Sequence, residues 1–295
     1  MLDINTYKDL FKKESSGFTG NFEKVKEHNI YYETASNSEI IERTFILSHG
    51  ACGTGRFLKP VGFNLLKTIP NIRVIIIDLP LHGLSTTDIH LEVSDITVHT
   101  YSEVIYELIN LLKTKNVIEG TLNWIGWSMG GSVGLLLDLK GAPIDELTLL
   151  NSSPIWESIA GILNFVPGLN DENLIVDEFR GVVIAGIQDN NEAEFIDVVA
   201  NSYDAIIPSA EIMVQDFKAI LPNNYNVISE LSNIKANTLI ISGTKDNLAE
   251  VRYQNLMNET ISNSDLVLLD DDHSLLIIPY AVDIICESII NKFIK

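Results

Sequence analysis

Residues 121–139 read TLNWIGWSMGGSVGLLLDL, and this stretch decides the fold. We predict a buried strand over Thr121 to Ile125 and a helix over Gly130 to Leu139. The pattern Gly-x-Ser-x-Gly lies between them, with Ser128 at its centre. In that position the pattern forms a tight turn that lifts the serine clear of the sheet edge, strains its backbone and sets it at a helix N-terminus. We therefore predict that Ser128 is a nucleophile; the competing interpretation is a chance match in a loop.

Apolar strands and amphipathic helices alternate along most of the 295 residues, which predicts an α/β fold with a mostly parallel central sheet flanked by helices. Arg73 to Asp78 is a continuous β-branched run, as expected for a strand buried on both faces. A helix is predicted over Thr100 to Lys115, with Thr100 and Glu103 as its capping box. The other predicted elements are strands at Ile30–Glu33, Ile41–Leu47, Glu146–Asn151, Ala236–Ser242 and Asp265–Asp270, and a last helix that begins at Pro279.

One segment interrupts this alternation, because residues 152–229 show helical patterns without a convincing central strand. We predict that residues 1–151 and 230–295 form the core domain and that 152–229 form a helical cap insertion. The simpler interpretation is a helical insertion between two core strands, and the functional one is a lid over the active site. The two interpretations are compatible.

A second motif, His49-Gly50-Ala51-Cys52-Gly53, follows the strand that ends at Leu47. Acyl-transfer enzymes stabilise an oxyanion with two backbone N–H groups, one after the nucleophile and one from a loop after an early strand. We predict the Met129 N–H as the first donor and the Ala51 N–H as the second, with the Cys52 N–H as the alternative. The Cys52 side chain is interpreted as a small filler of this loop rather than a reactive thiol, because the sequence places no base nearby.

Ser128 needs a general base, because a serine alkoxide is not available near pH 7. When a serine occupies a strand-to-helix turn of this kind, the acid and then the histidine follow it in the chain. Of the six histidines, His273 alone follows Ser128, and we predict that it is the base. The competing interpretation is a solvated loop histidine. The remaining five are expected in turns or on the surface: His28, His49, His82, His90 and His99.

Asp246 is the predicted acid, because it follows a strand and a glycine turn and can accept the Nδ1 proton of the base. The run Asp270 to Asp272 is too close in sequence to the histidine and is expected to be solvated. Asn151 ends the preceding strand, where some hydrolases carry the acid, but an amide cannot serve there. Glu157 remains a remote alternative.

The composition limits the partners of the chain. Asp and Glu number 40 against 20 Lys and Arg, and the net charge of −20 disfavours nucleic acid and anionic lipid. Two cysteines, Cys52 and Cys286, are not a disulfide framework, and neither a signal peptide nor a long apolar span is evident, so we expect a cytoplasmic protein. No metal-ligand spacing, phosphate-binding loop or dinucleotide fingerprint appears, so no cofactor or metal is expected. The oligomeric state stays open.

Taken together, the motifs resemble the α/β-hydrolase superfamily, specifically its serine hydrolase branch with a helical cap. The match is collinear over nearly the whole chain. The matching elements are His49-Gly50, Asp78-Leu-Pro-Leu-His-Gly-Leu-Ser85, Gly126 to Gly131, Gly243-Thr-Lys-Asp246 and His273. The second is similar to the family's D-x-P-G-x-G-x-S turn, varied at His82 and Leu84, and we give it a structural role.

The resemblance implies a Ser-His-Asp hydrolase that forms an acyl-enzyme, but it does not fix the substrate. A serine nucleophile argues against the haloalkane and epoxide branches, which use aspartate. Ala51 stands where the family often has a large aromatic residue, which predicts a roomier acyl pocket. A small-molecule carboxylic ester is the expected substrate, and the alternatives are C–C, thioester or peptide hydrolysis, or a non-catalytic ligand-binding relative. The candidate substrate-contacting residues are Cys52, Trp127 and Trp156.

Overall fold

The computed structural model describes residues 10, 17–87, 96–159, 210–273 and 279–295. These residues form one nine-stranded sheet with the order β1-β2-β4-β3-β6-β7-β8-β9, in which β5 pairs with β2. The strands are β1 (Thr19–Val25), β2 (His28–Ser36), β3 (Arg43–Ser48), β4 (Ile72–Ile77), β5 (Thr86–Thr87), β6 (Thr121–Trp127), β7 (Glu146–Leu150), β8 (Asn237–Gly243) and β9 (Ser264–Leu269).

The sheet is parallel from β4 through β9, and it becomes antiparallel at the edge formed by β1, β2 and β5. Strands β4 and β7 are buried along almost their whole length. Strands this apolar are stable where both faces of a sheet are covered, which helices do in this class of fold. The prediction of a mostly parallel sheet flanked by helices is confirmed.

Helices cover both faces of the sheet. They are α1 (Lys59–Thr68), α2 (Val98–Thr114), α3 (Met129–Leu139), α4 (Ala210–Ala219), α5 (Val251–Thr260) and α6 (Pro279–Phe293), with short 3-10 turns at Gly55–Leu58 and Ile228–Asn233. Apolar residues of α1 and α6 share one hydrophobic cluster with the sheet. Those of α2, α3 and α5 belong to a second cluster.

The capping box predicted from Thr100 and Glu103, at the start of the helix over Thr100 to Lys115, is wrong. Helix α2 starts after Thr97, whose side chain accepts a hydrogen bond from the Thr100 amide at 3.2 Å. Thr100 rather than Glu103 completes the box, since its hydroxyl accepts from the Thr97 amide at 3.3 Å. The helix starts earlier because Val98 and Tyr101 are fully buried, so its first turn belongs to the core.

Four elements were not predicted from the sequence: β1, β5, α1 and α5. Strand β1 is an edge strand with most of its residues exposed or half-buried, so its sequence lacks the apolar run that marks the central strands. Helix α1 begins with Lys59-Pro60, and proline is tolerated there because the first turn has no intrahelical partner for its missing N–H.

Of the predicted cap insertion, the structure describes residues 152–159 and 210–229, which include α4. The interpretation of residues 160–209 lies outside the described residues, and so does that of His90. The division into core and cap therefore stays a prediction.

Candidate active site

The parallel strands deliver their following loops to one edge of the sheet. His49 follows β3, Ser128 follows β6, Asp246 follows β8 and His273 follows β9. Because the carboxyl ends of parallel strands share an edge, residues far apart in sequence meet there.

Ser128 occupies a strained turn between β6 and α3. Its φ is 53°, in the left-handed region that residues with a Cβ disfavour, and its amide donates to the Leu150 carbonyl at 2.8 Å. The flanking glycines let the backbone approach closely. A Cβ on Gly126 would lie 2.3 Å from the Gly130 carbonyl oxygen, and one on Gly130 would lie 2.4 Å from that of Ser48. The turn therefore presents the serine at the start of α3, as the sequence predicts.

The three predicted triad residues lie in one hydrogen-bonded line. His273 Nε2 is 3.0 Å from Ser128 Oγ. His273 Nδ1 is 2.8 Å from Asp246 Oδ2. The other carboxylate oxygen of Asp246 accepts the amides of Leu248 and Ala249, both at 2.8 Å.

Asp246 is held in its anionic form. Burial alone would raise its pKa, but the adjoining His273 and the two amides outweigh burial, and the pKa is lowered. A carboxylate at Nδ1 fixes the tautomer with the proton on that nitrogen and leaves the Nε2 lone pair towards Ser128. This arrangement can take a proton from the serine.

Two tryptophans enclose the imidazole of His273. The Trp127 ring lies 5.9 Å from it, and the indole N–H donates to the His273 carbonyl at 3.3 Å. The Trp156 ring meets it edge-on at 6.1 Å and donates its N–H to Ser132 Oγ at 3.0 Å. Both indoles are buried, so they hold the histidine in place. Their contact with a substrate stays a prediction.

The loop after β3 packs directly against the serine. A Cβ on Gly50 would lie 2.8 Å from Ser128 Cβ, so this glycine allows the close approach. In the part of the chain that the structure describes, no hydrogen bond uses the amide of Ala51 or Met129. The Cys52 amide instead donates to Asp216 Oδ2 at 2.7 Å, which argues against it as the second oxyanion donor.

The Cys52 side chain is fully buried. Burial, assisted by the charge of Asp216, raises the pKa of its thiol well above the usual range. A buried thiol with a raised pKa is unreactive, which agrees with its interpretation as a filler.

Three of the histidines expected in turns or on the surface are buried: His28, His49 and His82. The expectation is wrong for His28, which lies in β2, whereas His82 lies in a turn and His49 in the loop after β3. His49 is fully buried, and burial holds its pKa well below the usual range. Its Nδ1 donates to the Gly50 carbonyl at 2.7 Å and its Nε2 accepts the Leu79 amide at 3.0 Å. It therefore joins the loops after β3 and β4. His99 is exposed on α2 as expected.

The acidic run before the base is not uniformly solvated either. Asp271 is buried and bonds the Tyr280 hydroxyl, whereas Asp270 is exposed. Glu157 is half-exposed and pairs with Arg252 at 2.8 Å, so it lies in a surface ion pair.

Asn151 has a structural role that the sequence does not reveal. Its side-chain N–H donates to the Asp272 carbonyl at 3.0 Å, and its oxygen accepts the Gly243 amide at 2.9 Å. The amide thereby ties the loop that carries the acid to the loop that carries the base. In the sequence, its place at a strand end indicates only that no acid stands there, and the two hydrogen bonds are visible only in the structure.

The Asp78 segment has the structural role predicted for it. The carboxylate accepts the amides of Gly55 at 2.8 Å and Leu84 at 2.9 Å, and its backbone carbonyl accepts the Ser85 hydroxyl. These bonds brace the loop after β4 beside the site.

A comparison with protein families decides the classification. The model of the alpha/beta hydrolase family matches residues 45–280. The chain belongs to this family. The match includes the elements that carry Ser128, Asp246 and His273 in this α/β hydrolase. Among curated proteins, none matches the sequence.

Solved structures of other α/β hydrolases are similar over nearly their whole length. An enol-lactonase from Burkholderia xenovorans LB400 has a TM-score of 0.76 at 19% identity, covering 93% of this chain and 100% of that one. A hydrolase from Pseudomonas aeruginosa PA01 has a TM-score of 0.75 at 17% identity, covering 94% and 99%. An esterase from Exiguobacterium antarcticum has a TM-score of 0.74 at 18% identity, covering 92% and 98%. At these identities the likeness establishes the fold alone.

Two further properties concern only the described ranges of the α/β hydrolase. None of their helices has both the length and the apolar character that crossing a membrane requires. Those ranges also bring together no group of three or more His, Cys, Asp or Glu side chains able to hold a metal ion.

Proposed function

We propose that this α/β hydrolase is a serine hydrolase that cleaves carboxylic esters, with Ser128 as nucleophile, His273 as general base and Asp246 as the acid. The observation that carries the proposal is the pair of hydrogen bonds that runs from Asp246 through His273 to Ser128, at 2.8 and 3.0 Å. Nucleophile, base and orienting acid within hydrogen-bond reach are the geometric signature of an activated serine.

In the proposed reaction, Ser128 Oγ attacks the substrate carbonyl carbon while His273 Nε2 takes its proton. The N–H groups of Met129 and Ala51 receive the developing oxyanion. The imidazolium, stabilised by Asp246, then protonates the leaving alcohol. Water, deprotonated by the same histidine, attacks the acyl-enzyme and releases the carboxylic acid and the free serine.

Esters are favoured because an alcohol is a good leaving group once the histidine has protonated it. Two of the similar structures are described as an esterase and an enol-lactonase, and a lactone is a cyclic ester. The small side chain of Ala51 leaves space on the acyl side. We further propose a small-molecule substrate and a cytoplasmic location, both of which rest on the composition of the chain.

The test is hydrolysis of a p-nitrophenyl ester series from acetate to palmitate by the wild-type chain and by Ser128→Ala and His273→Ala. Loss of either triad member should reduce kcat by about 10⁴-fold or more, because the two act as one unit. The chain-length profile of the wild type would then size the acyl pocket. Ester hydrolysis that survives in Ser128→Ala would overturn the proposal. A wild type that hydrolyses none of the esters, yet is labelled at Ser128 by a fluorophosphonate, would mean that the triad is competent but cleaves a bond other than a carboxylic ester.

A further inference from the structure

Asp216 is a completely buried carboxylate that does not belong to the triad but contacts the loop after β3. Asp216 belongs to α4, and its side chain has no exposed surface. One oxygen accepts the Tyr101 hydroxyl at 2.8 Å. The other accepts the Cys52 amide at 2.7 Å and faces His82 Nε2 at 2.8 Å. One side chain of α4 thus joins three separate parts of the core.

The contacts of His82 define its charge. Its Nδ1 lies 3.0 Å from the Pro80 carbonyl, which can only accept, so this nitrogen carries a proton. Its Nε2 faces the carboxylate of Asp216, so it carries a proton as well. Burial would lower the pKa of this imidazole, but the Asp216 charge and hydrogen bond outweigh burial and raise it. His82 and Asp216 therefore form a buried ion pair.

The amide that Asp216 accepts belongs to the turn that carries the candidate oxyanion donor. The Gly53 amide donates to the Gly50 carbonyl at 3.2 Å, so Ala51 and Cys52 are the two central residues of a tight turn. Cys52 has a φ of 58°, which a residue with a Cβ adopts only where its surroundings impose it. The bond from its amide to Asp216 supplies such a constraint.

Apolar contacts reinforce the same attachment. Cys52 forms a buried cluster with Met213 and Val214 of α4, and Ala51 packs against that cluster. The Cys52 sulfur also lies 3.8 Å from the Met213 carbonyl. Helix α4 therefore covers the turn with apolar side chains next to its polar contact.

We infer that Asp216 is a positioning residue for the oxyanion hole: its carboxylate, neutralised by His82, holds the turn that aims the Ala51 N–H at the reacting carbonyl. This inference rests on the proposed function. Through Asp216, the predicted cap segment thus supports the oxyanion hole, because the second oxyanion donor is in place only when this carboxylate holds the turn.

The chain offers a matched control. Gln215, the neighbour of Asp216, is also buried and donates to the Ile96 carbonyl at 2.6 Å, so this hydrogen bond ties α4 to the segment before α2 rather than to the oxyanion turn. Asp216→Ala should lower kcat for ester hydrolysis about 100-fold with little change in KM, because a misplaced donor weakens transition-state binding only. Gln215→Ala should leave kcat near the wild-type value. Asp216→Leu, which has the same branched shape but accepts no hydrogen bond, provides the same comparison if the alanine variant does not fold.

A second readout does not depend on activity. Cys52 lies in the turn, and Cys286 is buried in α6, so native-state alkylation by iodoacetamide, resolved by peptide mass spectrometry, compares the turn with an internal reference. In both Asp216 variants, Cys52 should be alkylated at least about tenfold faster than in the wild type, while the rate at Cys286 stays the same. The reason is that a buried thiol reacts only when the structure around it opens locally. Gln215→Ala should leave the Cys52 rate unchanged.

The outcomes separate the two proposals. Unchanged Cys52 alkylation in the Asp216 variants, or equal acceleration in Gln215→Ala, would overturn the inference. Faster alkylation without loss of kcat would overturn the catalytic consequence. A wild type without ester turnover, in which Cys52 still responds to the Asp216 variants, would overturn the proposed function and leave Asp216 as the residue that holds the turn.

Discussion

The Nε2 atom of His273 lies 3.0 Å from the Oγ atom of Ser128, although 145 positions separate the two residues in the chain. The separation is bridged by the sheet, which places the end of β9 and the end of β6 at one edge. Asn151 and Trp127 then fix the loop that carries the histidine, through bonds to the carbonyls of Asp272 and His273. The contact is thus held by the backbone of the fold and by side chains that do not themselves react.

Replacement of Asp246 by asparagine should reduce kcat by roughly 10⁴-fold with modest effect on folding, because an amide at Nδ1 no longer selects the tautomer whose Nε2 accepts a proton. Asp270→Asn is the control, since that carboxylate is 83% exposed beside Lys245 and should be neutral for activity. Steady-state kinetics on an activated ester measure both. Equal effects of the two variants would contradict the assignment of the acid.

Gly50→Ala should lower kcat by at least about tenfold, because the new methyl group would lie 2.8 Å from Ser128 Cβ and push the oxyanion turn away from the nucleophile. The comparison is Gly141→Ala, where φ is 78° and no atom lies within 4 Å of the added Cβ. That variant should lose about 1 kcal/mol of stability through backbone strain alone and keep its kcat. Retention of full activity by Gly50→Ala would show that the turn does not touch the reacting geometry.

The His82–Asp216 pair predicts a pH dependence of stability. The pKa of His82 is raised above its unfolded value of about 6.5, so its contribution is complete below that pH and is lost as pH rises through the folded-state pKa. Asp216, Asp78, His49 and Tyr101 are the titratable groups that face the imidazole.

The measurement is urea unfolding of the wild type and of His82→Gln, which cannot titrate, between pH 6 and pH 9. The stability advantage of the wild type should shrink towards high pH. An advantage that stays constant or grows across this range would mean that the imidazole is neutral in the folded protein.

A second buried ion pair joins α1 to β2. Lys59 Nζ lies 2.7 Å from Glu33 Oε2, with 1% and 6% of the two side chains exposed, and the Tyr31 hydroxyl donates to the other oxygen of Glu33 at 3.0 Å. Lys59→Met should destabilise the protein by about 3–5 kcal/mol, because it leaves an uncompensated buried carboxylate. Adding Glu33→Gln should recover a large part of that loss.

The exposed pair Lys245–Asp270 is the matched control for this experiment, and Lys245→Met should cost less than about 1 kcal/mol. Denaturant unfolding of the three variants measures each effect. A double variant no more stable than Lys59→Met alone would contradict the account of the buried pair.

The parts of the fold that have a clear local sequence pattern were predictable from the sequence. The β-branched run that ends at Ile77 marks a buried strand, and the glycines around Ser128 mark a strand-to-helix turn. Asp246 and His273 were identifiable because each follows a strand and their order along the chain fits one reaction geometry. These signals are local, and the sheet converts them into a single site.

Contacts between distant loops were not predictable in the same way. Asp216 and His82 are 134 positions apart, and neither lies in a motif that points to the other. The start of α2 was misplaced because Thr97 and Thr100 are both good capping residues, and burial of Val98, which is a tertiary property, decides between them. Asn151 was visible at its strand end, but only the structure reveals the two loops that it joins.

The most direct test of the central claim is covalent labelling with a fluorophosphonate, with the modified residue located by peptide mass spectrometry. The account predicts a single adduct on Ser128, formed rapidly in the wild type and orders of magnitude more slowly in His273→Ala, because a serine hydroxyl depends on its general base to become nucleophilic. An adduct on another serine, such as Ser132 or Ser153, or a labelling rate that does not change in His273→Ala, would contradict it.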